Sequence, residues 1–260
     1  MVDAWETRAA RARTLAARDT GAASLLSFYA GLLTAQGAIH RALRATSIQA
    51  SPSLEQNLRH VRPHAAPLFE AVAHRAPQPL ADEARLLAAA DAGAIDAMLL
   101  AQWRTPDDRQ FFAKAILQAY GQWMAEQGVA PDDRPSARAD NRCPFCGGTP
   151  QLSILHEASD LQGGGRLLLC ASCLTTWPFR RVVCAWCGEE EDQKLGYFHA
   201  PELDHLRVDG CDTCRRYIKS VDLTKLGLAV PLVDEVAGAP LDLWARDRGY
   251  EKIELNLVGL

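Results

Sequence analysis

All eight cysteines of this 260-residue chain lie between residues 143 and 214, and they form four C-x-x-C pairs. The pairs are Cys143/Cys146, Cys170/Cys173, Cys184/Cys187 and Cys211/Cys214. Two thiolates that are separated by two residues can converge on one metal ion, and two such pairs complete a tetrahedral four-sulfur site. The residue types and their spacing therefore predict metal coordination.

The four pairs form an internal repeat. A shift of 41 residues, from 143 to 184, superimposes the first two pairs on the last two, and it also superimposes Arg166 on Arg207. We therefore assign the cysteines within each repeat, although an interleaved assignment is the alternative. Site 1 is Cys143, Cys146, Cys170 and Cys173, and site 2 is Cys184, Cys187, Cys211 and Cys214. Both sets are complete without a histidine, which predicts two closed sites with no vacant ligand position.

Three other uses of cysteine compete with a redox-active metal. Structural disulfides are disfavoured because no secretion signal is evident and the spacing repeats as metal sites do. A thioredoxin-like dithiol needs one C-x-x-C pair at the start of a helix rather than four equivalent pairs. Two structural zinc ribbons are the serious competitor, since a tetrahedron of thiolates accepts zinc or iron. Iron would pass one electron and zinc would only stabilise the fold, and the cysteines leave this choice open.

The residues around each C-x-x-C turn, here called a knuckle, predict how the thiols are positioned. A glycine follows the first knuckle of each repeat, where a positive φ would turn backbone N–H groups toward sulfur. Short apolar strands that begin at Arg166 and Arg207 lead into the second knuckles. Trp177 and Tyr217 come next along the chain, and we expect them to cover the two sites.

A cluster of basic residues near the knuckles raises the alternative of a nucleic-acid-binding ribbon. These residues are Arg180, Arg181, Arg215, Arg216 and Lys219. However, residues 143–220 contain eight basic and ten acidic side chains, and two divalent ions with four thiolates each would bring this block to a charge of about −6. Phosphate binding requires a basic surface, so we predict no nucleic-acid partner and read the arginines as a solvated rim.

The rest of the chain has the composition of an ordinary globular protein. It is 48% hydrophobic and 23% charged with a formal charge of −4, which excludes a disordered or collagen-like chain. No apolar run reaches the roughly 20 residues that span a bilayer. The run from Ala22 to Leu33 is interrupted by serines and has helical spacing, which indicates a buried helix face rather than a signal peptide. We expect no membrane insertion and a cytoplasmic location.

The N-terminal half is predicted to be all-helical, with five or six helices over residues 1–127. Ser53 and Gln56 resemble a capping box, and Thr105-Pro106-Asp107-Asp108 resembles a helix start. An aromatic and aliphatic stripe at helical spacing indicates core packing rather than a binding groove. The stripe consists of Phe112, Ile116, Tyr120 and Trp123.

These observations predict an α+β chain with five segments. They are a helical domain (1–127), a linker (128–142), two tandem rubredoxin-like or zinc-ribbon modules (143–181 and 182–220) and a C-terminal helical extension packed on the protein (221–260).

Four segments of the cysteine block resemble the formate dehydrogenase accessory protein FdhE family. They are CPFCGGTP, LLCASCLTTWPF, RVVCAWCG and RVDGCDTCRRYIKSVDL, in this order after a helical half. The tail VPLVDEVAGAPLDLWARDRGYEKIELNLVGL is also similar to that family in its acidic helix, its Arg-Gly-Tyr step and its final Asn-Leu. The resemblance covers about residues 140–260, and all four C-x-x-C pairs of the pattern are present.

The resemblance implies a cytoplasmic maturation factor rather than an enzyme. Such proteins bind the catalytic subunit of a molybdenum- or tungsten-dependent formate dehydrogenase, often one exported by the twin-arginine route. Rubredoxin-like folds with bound iron are described for the family, which favours iron over zinc at both sites. A homodimer is one possible assembly of the chain. The alternative function is electron transfer or thiol redox chemistry on the client.

Overall fold

The computed structural model describes residues 3–18, 21–134, 140–157 and 164–260. The described residues form two compact units. One unit contains the N-terminal helices together with the short segments Phe145–Gly147 and Ser172–Leu174, and the other contains the β-sheet and the C-terminal helices. The α+β class, with a helical first half and two four-cysteine clusters in the second, is confirmed. Residues 135–139 of the predicted linker and residues 158–163 of the first predicted module lie outside the described residues.

Seven α-helices occupy the described part of the N-terminal half, one or two more than the sequence predicted. They are α1 (Ala4–Ala16), α2 (Ala23–Ala45), α3 (Leu54–Val61), α4 (Ala66–Arg75), α5 (Gln78–Ala88), α6 (Ala92–Arg104) and α7 (Phe111–Glu126). Pro67 and Pro79 lie in the first turns of α4 and α5, where a missing N–H costs no hydrogen bond, so each proline begins a new helix. Within the described ranges, no helix is both long enough and apolar enough to cross a membrane.

The predicted stripe on α7 lies in the core. Phe112, Ile116, Tyr120 and Trp123 are each at most 1% exposed. Two edge-to-face ring contacts, Phe69 with Phe112 and Trp103 with Tyr120, connect α7 to α4 and α6. Ring pairs of this kind add to the free energy of burial. The interpretation of this stripe as core rather than groove is confirmed.

The start of α7 differs from the prediction. Helix α7 begins at Phe111, not at Thr105. The Asp107 side chain instead accepts the N–H of Arg109 at 2.9 Å, and its carbonyl accepts the N–H of Gln110, which closes a separate turn before the helix. Aspartate competes with the helix in this way because its short side chain reaches nearby backbone groups.

The cap of α3 also differs from the prediction. Ser53 makes no side-chain capping bond, and Asp133 from the predicted linker takes its place. Asp133 Oδ2 accepts the N–H of Leu54 at 2.7 Å, and Oδ1 accepts the indole N–H of Trp103 at 2.8 Å. A carboxylate satisfies the unpaired N–H groups at a helix N-terminus whatever its position in the sequence. One aspartate therefore anchors the chain that leaves the helices.

The second half is built on one mixed β-sheet. Its strands are β1 (Pro150–His156), β2 (Gly165–Cys170), β3 (Thr176–Pro178), β4 (Leu195–His199), β5 (Leu206–Cys211), β6 (Arg216–Asp222) and β7 (Glu251–Lys252). The order across the sheet is β3-β2-β1-β6-β5-β4, and β7 pairs with β6.

The two repeats join head to tail within this sheet. Each is a three-stranded antiparallel meander, β1-β2-β3 or β4-β5-β6. The first strand of repeat one pairs in parallel with the last strand of repeat two, with Leu152 opposite Lys219 and Leu155 opposite Asp222. The two ribbons therefore share a continuous backbone hydrogen-bond network.

The C-terminal helices α8 (Pro231–Ala237) and α9 (Ala239–Asp247) are tied to β6 by buried charges. Lys219 contacts Asp242 and lies 3.0 Å from Glu235, while Lys252 contacts Glu235. All four side chains are at most 1% exposed. Burial alone would raise the pKa of Glu235, but the two lysines and a hydrogen bond from Asn256 lower it to about 2. The network is charged and internally paired.

Candidate metal centres

Site 1 forms a single cluster of buried sulfur atoms. The four Sγ atoms of Cys143, Cys146, Cys170 and Cys173 lie within 4.8 Å of one another, and all four residues are buried. The Sγ atoms of Cys146 and Cys173, which come from different knuckles, are 3.5 Å apart.

Site 2 repeats this geometry in a more open environment. Its four Sγ atoms also lie within 4.8 Å of one another. Two distances between knuckles, Cys184 to Cys214 and Cys187 to Cys211, are both 3.7 Å. Cys187 is exposed and Cys214 half-exposed, in contrast with every cysteine of site 1.

Both clusters fit a tetrahedral metal ion. A metal–sulfur distance of about 2.3 Å places the sulfur atoms of a tetrahedron about 3.8 Å apart. The observed 3.5 and 3.7 Å are close to this value. These separations are far from the roughly 2.05 Å of a disulfide. The structure groups the cysteines within each repeat, and such a donor set suits zinc or iron.

The knuckles share one backbone conformation. In three of them the N–H of the first cysteine donates to the carbonyl five residues later at 2.9 Å: Cys143 to Gly148, Cys170 to Thr175 and Cys184 to Glu189. The residue after the second cysteine has a positive φ in all four knuckles: Gly147 (72°), Leu174 (58°), Gly188 (76°) and Arg215 (57°). The positive φ predicted for the two glycines is confirmed. Leu174 and Arg215 show that the repeat enforces this conformation even on residues that disfavour it.

The site 2 thiols differ in acidity before any metal binds. Burial raises the pKa of Cys184 to about 11, although the N–H of Trp186 points at its sulfur from 3.4 Å. Burial acts in the same direction on Cys187, but it is outweighed by the N–H of Glu189 and by hydrogen bonds from neighbouring thiols, which lower the Cys187 pKa. Cys187 is thus the more readily ionised of the two ligands.

A glycine in α7 explains part of the burial of site 1. A Cβ atom at Gly121 would lie 2.9 Å from the Cα of Cys173 and 2.9 Å from the carbonyl oxygen of Ser172. No side chain fits at that distance from backbone atoms. The absence of a side chain lets the helix backbone reach the knuckle directly and exclude water from it.

The two aromatic residues that we expect to cover the sites are both buried, and their cover of the sulfur atoms stays a prediction. Trp177 is buried, and its indole N–H donates to the carbonyl of Asp140 at 2.9 Å. Tyr217 packs in the hydrophobic cluster of the C-terminal helices, and its hydroxyl donates to Asp242 at 2.7 Å. Trp186, which the sequence did not single out for this role, lies inside a site 2 knuckle with the Arg216 guanidinium 4.2 Å from its ring centre.

Four of the five basic residues near the knuckles are engaged with acids. Lys219 is fully buried among Glu235 and Asp242 and cannot reach a phosphate group in solution. Three rim arginines form ion pairs: Arg180 with Glu190, Arg215 with Asp212 and Arg216 with Glu251. Much of the positive charge that suggested nucleic acid is therefore neutralised within the protein.

Histidines within the repeats do not join the cysteines. His156 Nδ1 lies 2.7 Å from the carbonyl of Glu157, and His205 Nε2 lies 3.1 Å from Asp234. The clusters found among the described residues contain sulfur ligands alone.

The two repeat-equivalent arginines meet at one carboxylate. Arg166 Nη2 lies 3.3 Å from Asp209 Oδ2, and Arg207 Nε lies 2.7 Å from Asp209 Oδ1. Ser220 donates to the same carboxylate at 2.7 Å, while Arg166 donates to Ser153 at 2.9 Å. The 41-residue shift matched the two arginines, but nothing in the sequence showed that they converge.

The second half of the chain matches known protein domains. The model of the FdhE central domain matches residues 142–181, and that of the FdhE C-terminal domain matches residues 182–258. Together these ranges contain all eight cysteines. Residues 142–258 therefore carry the central and C-terminal domains of FdhE.

Curated FdhE relatives align with the same region. A protein FdhE homolog of Aquifex aeolicus is 44% identical over 119 residues, covering 46% of this chain and 42% of the relative. A homolog from Haemophilus ducreyi is 28% identical over 149 residues, covering 57% and 48%. The aligned part of the chain thus spans less than half the length of these relatives.

A solved structure extends the likeness in fold. The crystal structure of the FdhE protein from Pseudomonas aeruginosa superimposes with a TM-score of 0.72, covering 98% of this chain and 95% of that one. Sequence identity over this alignment is 24%, so the comparison shows the shared fold alone.

Proposed function

We propose that the protein is a non-enzymatic accessory factor that binds the catalytic subunit of a molybdenum- or tungsten-dependent formate dehydrogenase in the cytoplasm, before export or assembly. The observation that carries this proposal is the match of residues 142–258 to two FdhE domains, with both four-cysteine sets complete.

The metal sites support a binding role. Each is closed by four thiolates, so a bound ion has no vacant position for a substrate. The ions would hold the knuckles together, and iron is the metal we favour from the family resemblance. The protein then presents a metal-stabilised surface to its client.

Deletion of the gene tests this function. We expect formate dehydrogenase activity in cell extracts to disappear while the catalytic subunit is still synthesised, and we expect the wild-type gene to restore it. A tagged copy should also retain the catalytic subunit on an affinity column. Unchanged activity in a strain without a second homologous gene would refute the proposal.

The exposure of Cys187 favours one second candidate, electron transfer or thiol redox chemistry on the client. Electrons can reach a metal whose ligand contacts solvent, and site 2 has such a ligand whereas site 1 does not. Protein loaded with zinc in place of iron separates the two functions. A binding factor retains its effect on the client after the exchange, and a redox agent loses it.

A further inference from the structure

Strand β4 lies at an edge of the β-sheet, whereas the equivalent strand of the first repeat has a neighbour on both sides. Strand β4 ends the sheet order, and β5 is its strand partner in the described part of the chain. The residues of β4 are half-buried up to the exposed His199, and its sequence Leu-Gly-Tyr-Phe-His holds neither proline nor lysine, the residues that commonly protect an edge.

The repeat identifies the strand of repeat one that is equivalent to β4. Arg166 lies opposite Leu155, and its repeat mate Arg207 lies opposite His199. The same registers place Ser153 and Tyr197 at equivalent positions. Strand β4 is therefore the counterpart of β1, and the far side of β1 is occupied by β6 as a parallel strand.

This equivalence defines which backbone groups of β4 face outward. The carbonyl of Leu155 accepts the N–H of Leu223 at 2.9 Å, so Leu155 presents its backbone polar groups to the β6 side. Because this direction alternates along a strand, the equivalent His199 and, two residues earlier, Tyr197 present their N–H and C=O groups to the open side of β4. Phe198 points its backbone groups at β5.

The opposite edge of the sheet is blocked, which argues against a second copy of the chain bound head to tail as the occupant. Head-to-tail repeats could continue if the β3 edge of one molecule paired with the β4 edge of another. The strand registers make Pro178 of β3 the counterpart of Lys219 of β6. Lys219 lies opposite Leu152 where β6 pairs with β1. Proline has no N–H to donate, and β3 ends there.

The charge around β4 indicates the chemistry of the missing strand. Residues 189–204 hold six acidic side chains and one basic side chain, Lys194. Three of the acids form ion pairs, Glu190 with Arg180, Glu191 with Lys194 and Asp204 with Lys225, which leaves three acids in excess. An extended segment with lysines or arginines would complement this surface.

We propose that the open edge of β4 binds an extended basic segment of the client protein as an additional parallel strand. The inference rests on the proposed function for the existence of a client, and it names the surface and the kind of segment that bind. Main-chain hydrogen bonds to Tyr197 and His199 supply the affinity, as in other cases of strand addition.

Two substitutions of one residue test the edge. His199→Pro removes an outward N–H and reproduces the block seen at Pro178, whereas His199→Ala removes the side chain and keeps the N–H. Both full-length variants are first checked for secondary structure and metal content, and then titrated with the catalytic subunit. We expect His199→Pro to weaken binding by about tenfold or more, equivalent to about 1.4 kcal/mol, and His199→Ala to change it by less than about twofold. Equal binding by both variants, or an equal loss of binding in both, would refute the proposal that the client binds at the β4 edge.

Hydrogen exchange on the wild-type complex gives a second test that needs no folded variant. The client should slow exchange at the amides of Tyr197 and His199 and leave Phe198 unchanged, and high salt should reduce this protection because the segment is basic. Protection of the same amides in the isolated protein at high concentration would identify a second copy and overturn the proposal. If the wild-type protein does not bind the subunit at all, the proposed function fails. If it binds without protecting β4, only the edge fails.

Discussion

Sites 1 and 2 have the same ligand spacing and nearly the same sulfur geometry, yet they differ in their contact with water. Cys170 of site 1 is fully buried, while Cys187 of site 2 is exposed. The knuckles set the positions of the thiols, because the backbone turn recurs in all four. What packs around the knuckles sets their exposure. One motif can therefore provide a buried cluster and an accessible one in the same chain.

The third strands of the two repeats differ in a related way. Strand β3 ends at Pro178, whereas its counterpart β6 continues for seven residues and holds Lys219 in the buried charge network. Repeat one has the better-protected cysteine cluster, and repeat two has the more firmly anchored strand. The following predictions separate these two sources of stability.

The largest expected effect is the loss of a ligand from site 1. Cys170→Ser should remove about one of the two metal ions and lower the free energy of unfolding by about 4 kcal/mol or more, because a buried position offers no water as a replacement ligand. Chemical denaturation and metal analysis measure both quantities.

Cys187→Ser is the matched variant in site 2. Its exposed position lets water complete the coordination, so we expect a smaller loss of stability than for Cys170→Ser. Equal losses in the two variants would show that exposure does not distinguish the sites.

The next effect concerns the anchor of repeat two. Lys219→Met removes one partner of a buried network and should lower the free energy of unfolding by about 3–5 kcal/mol. Lys225→Met, which breaks an exposed ion pair with Asp204, should cost about 1 kcal/mol or less. Thermal denaturation of the two variants at equal metal content provides the comparison. A mild effect of Lys219→Met would mean that Lys252 alone suffices to neutralise Glu235 and Asp242.

A third prediction concerns metal release. A chelator in excess should remove the ions in two phases of about equal amplitude, the fast one from site 2, since the chelator can reach an exposed ligand. The absorbance of a colorimetric chelator follows the release. Cys187→Ser should alter the fast phase and leave the slow phase unchanged. A single phase in the wild-type protein would contradict the assignment.

The smallest effect is one of reactivity in the metal-free protein. Cys187 should be alkylated first, and the midpoint of its rate against pH should lie below that of an ordinary thiol, because a lowered pKa makes the thiolate available at lower pH. Cys184 should react only at higher pH, consistent with a pKa of about 11. Mass spectrometry of timed samples measures both rates. Faster alkylation of Cys184 than of Cys187 would contradict this order.

The sequence was sufficient for the features that depend on local spacing. The 41-residue shift predicted which cysteines come together, and the glycines after the knuckles predicted the positive φ. Metal binding by these residues stays a prediction. Periodicity also predicted the buried stripe of α7, although proline positions divided the preceding residues into more helices than expected.

The features that were missed depend on contacts distant in sequence. The pairing of β1 with β6 joins residues 67 positions apart, as the hydrogen bond between Ser153 and Ser220 illustrates. The burial of Lys219 depends on helices that follow it, and the cap of α3 comes from Asp133. No local pattern encodes such partners, because each residue alone is typical of a solvated surface.

The convergence of Arg166 and Arg207 on Asp209 has a consequence for the evolutionary history of the chain. If the repeats arose by duplication of an ancestral gene segment, the products are no longer interchangeable, since repeat one supplies a guanidinium and repeat two supplies the carboxylate. A gene truncated after codon 181 would leave Arg166 without Asp209 and β1 without β6. Selection on either half therefore acts on both, and the two copies are expected to diverge together rather than to be lost or exchanged singly.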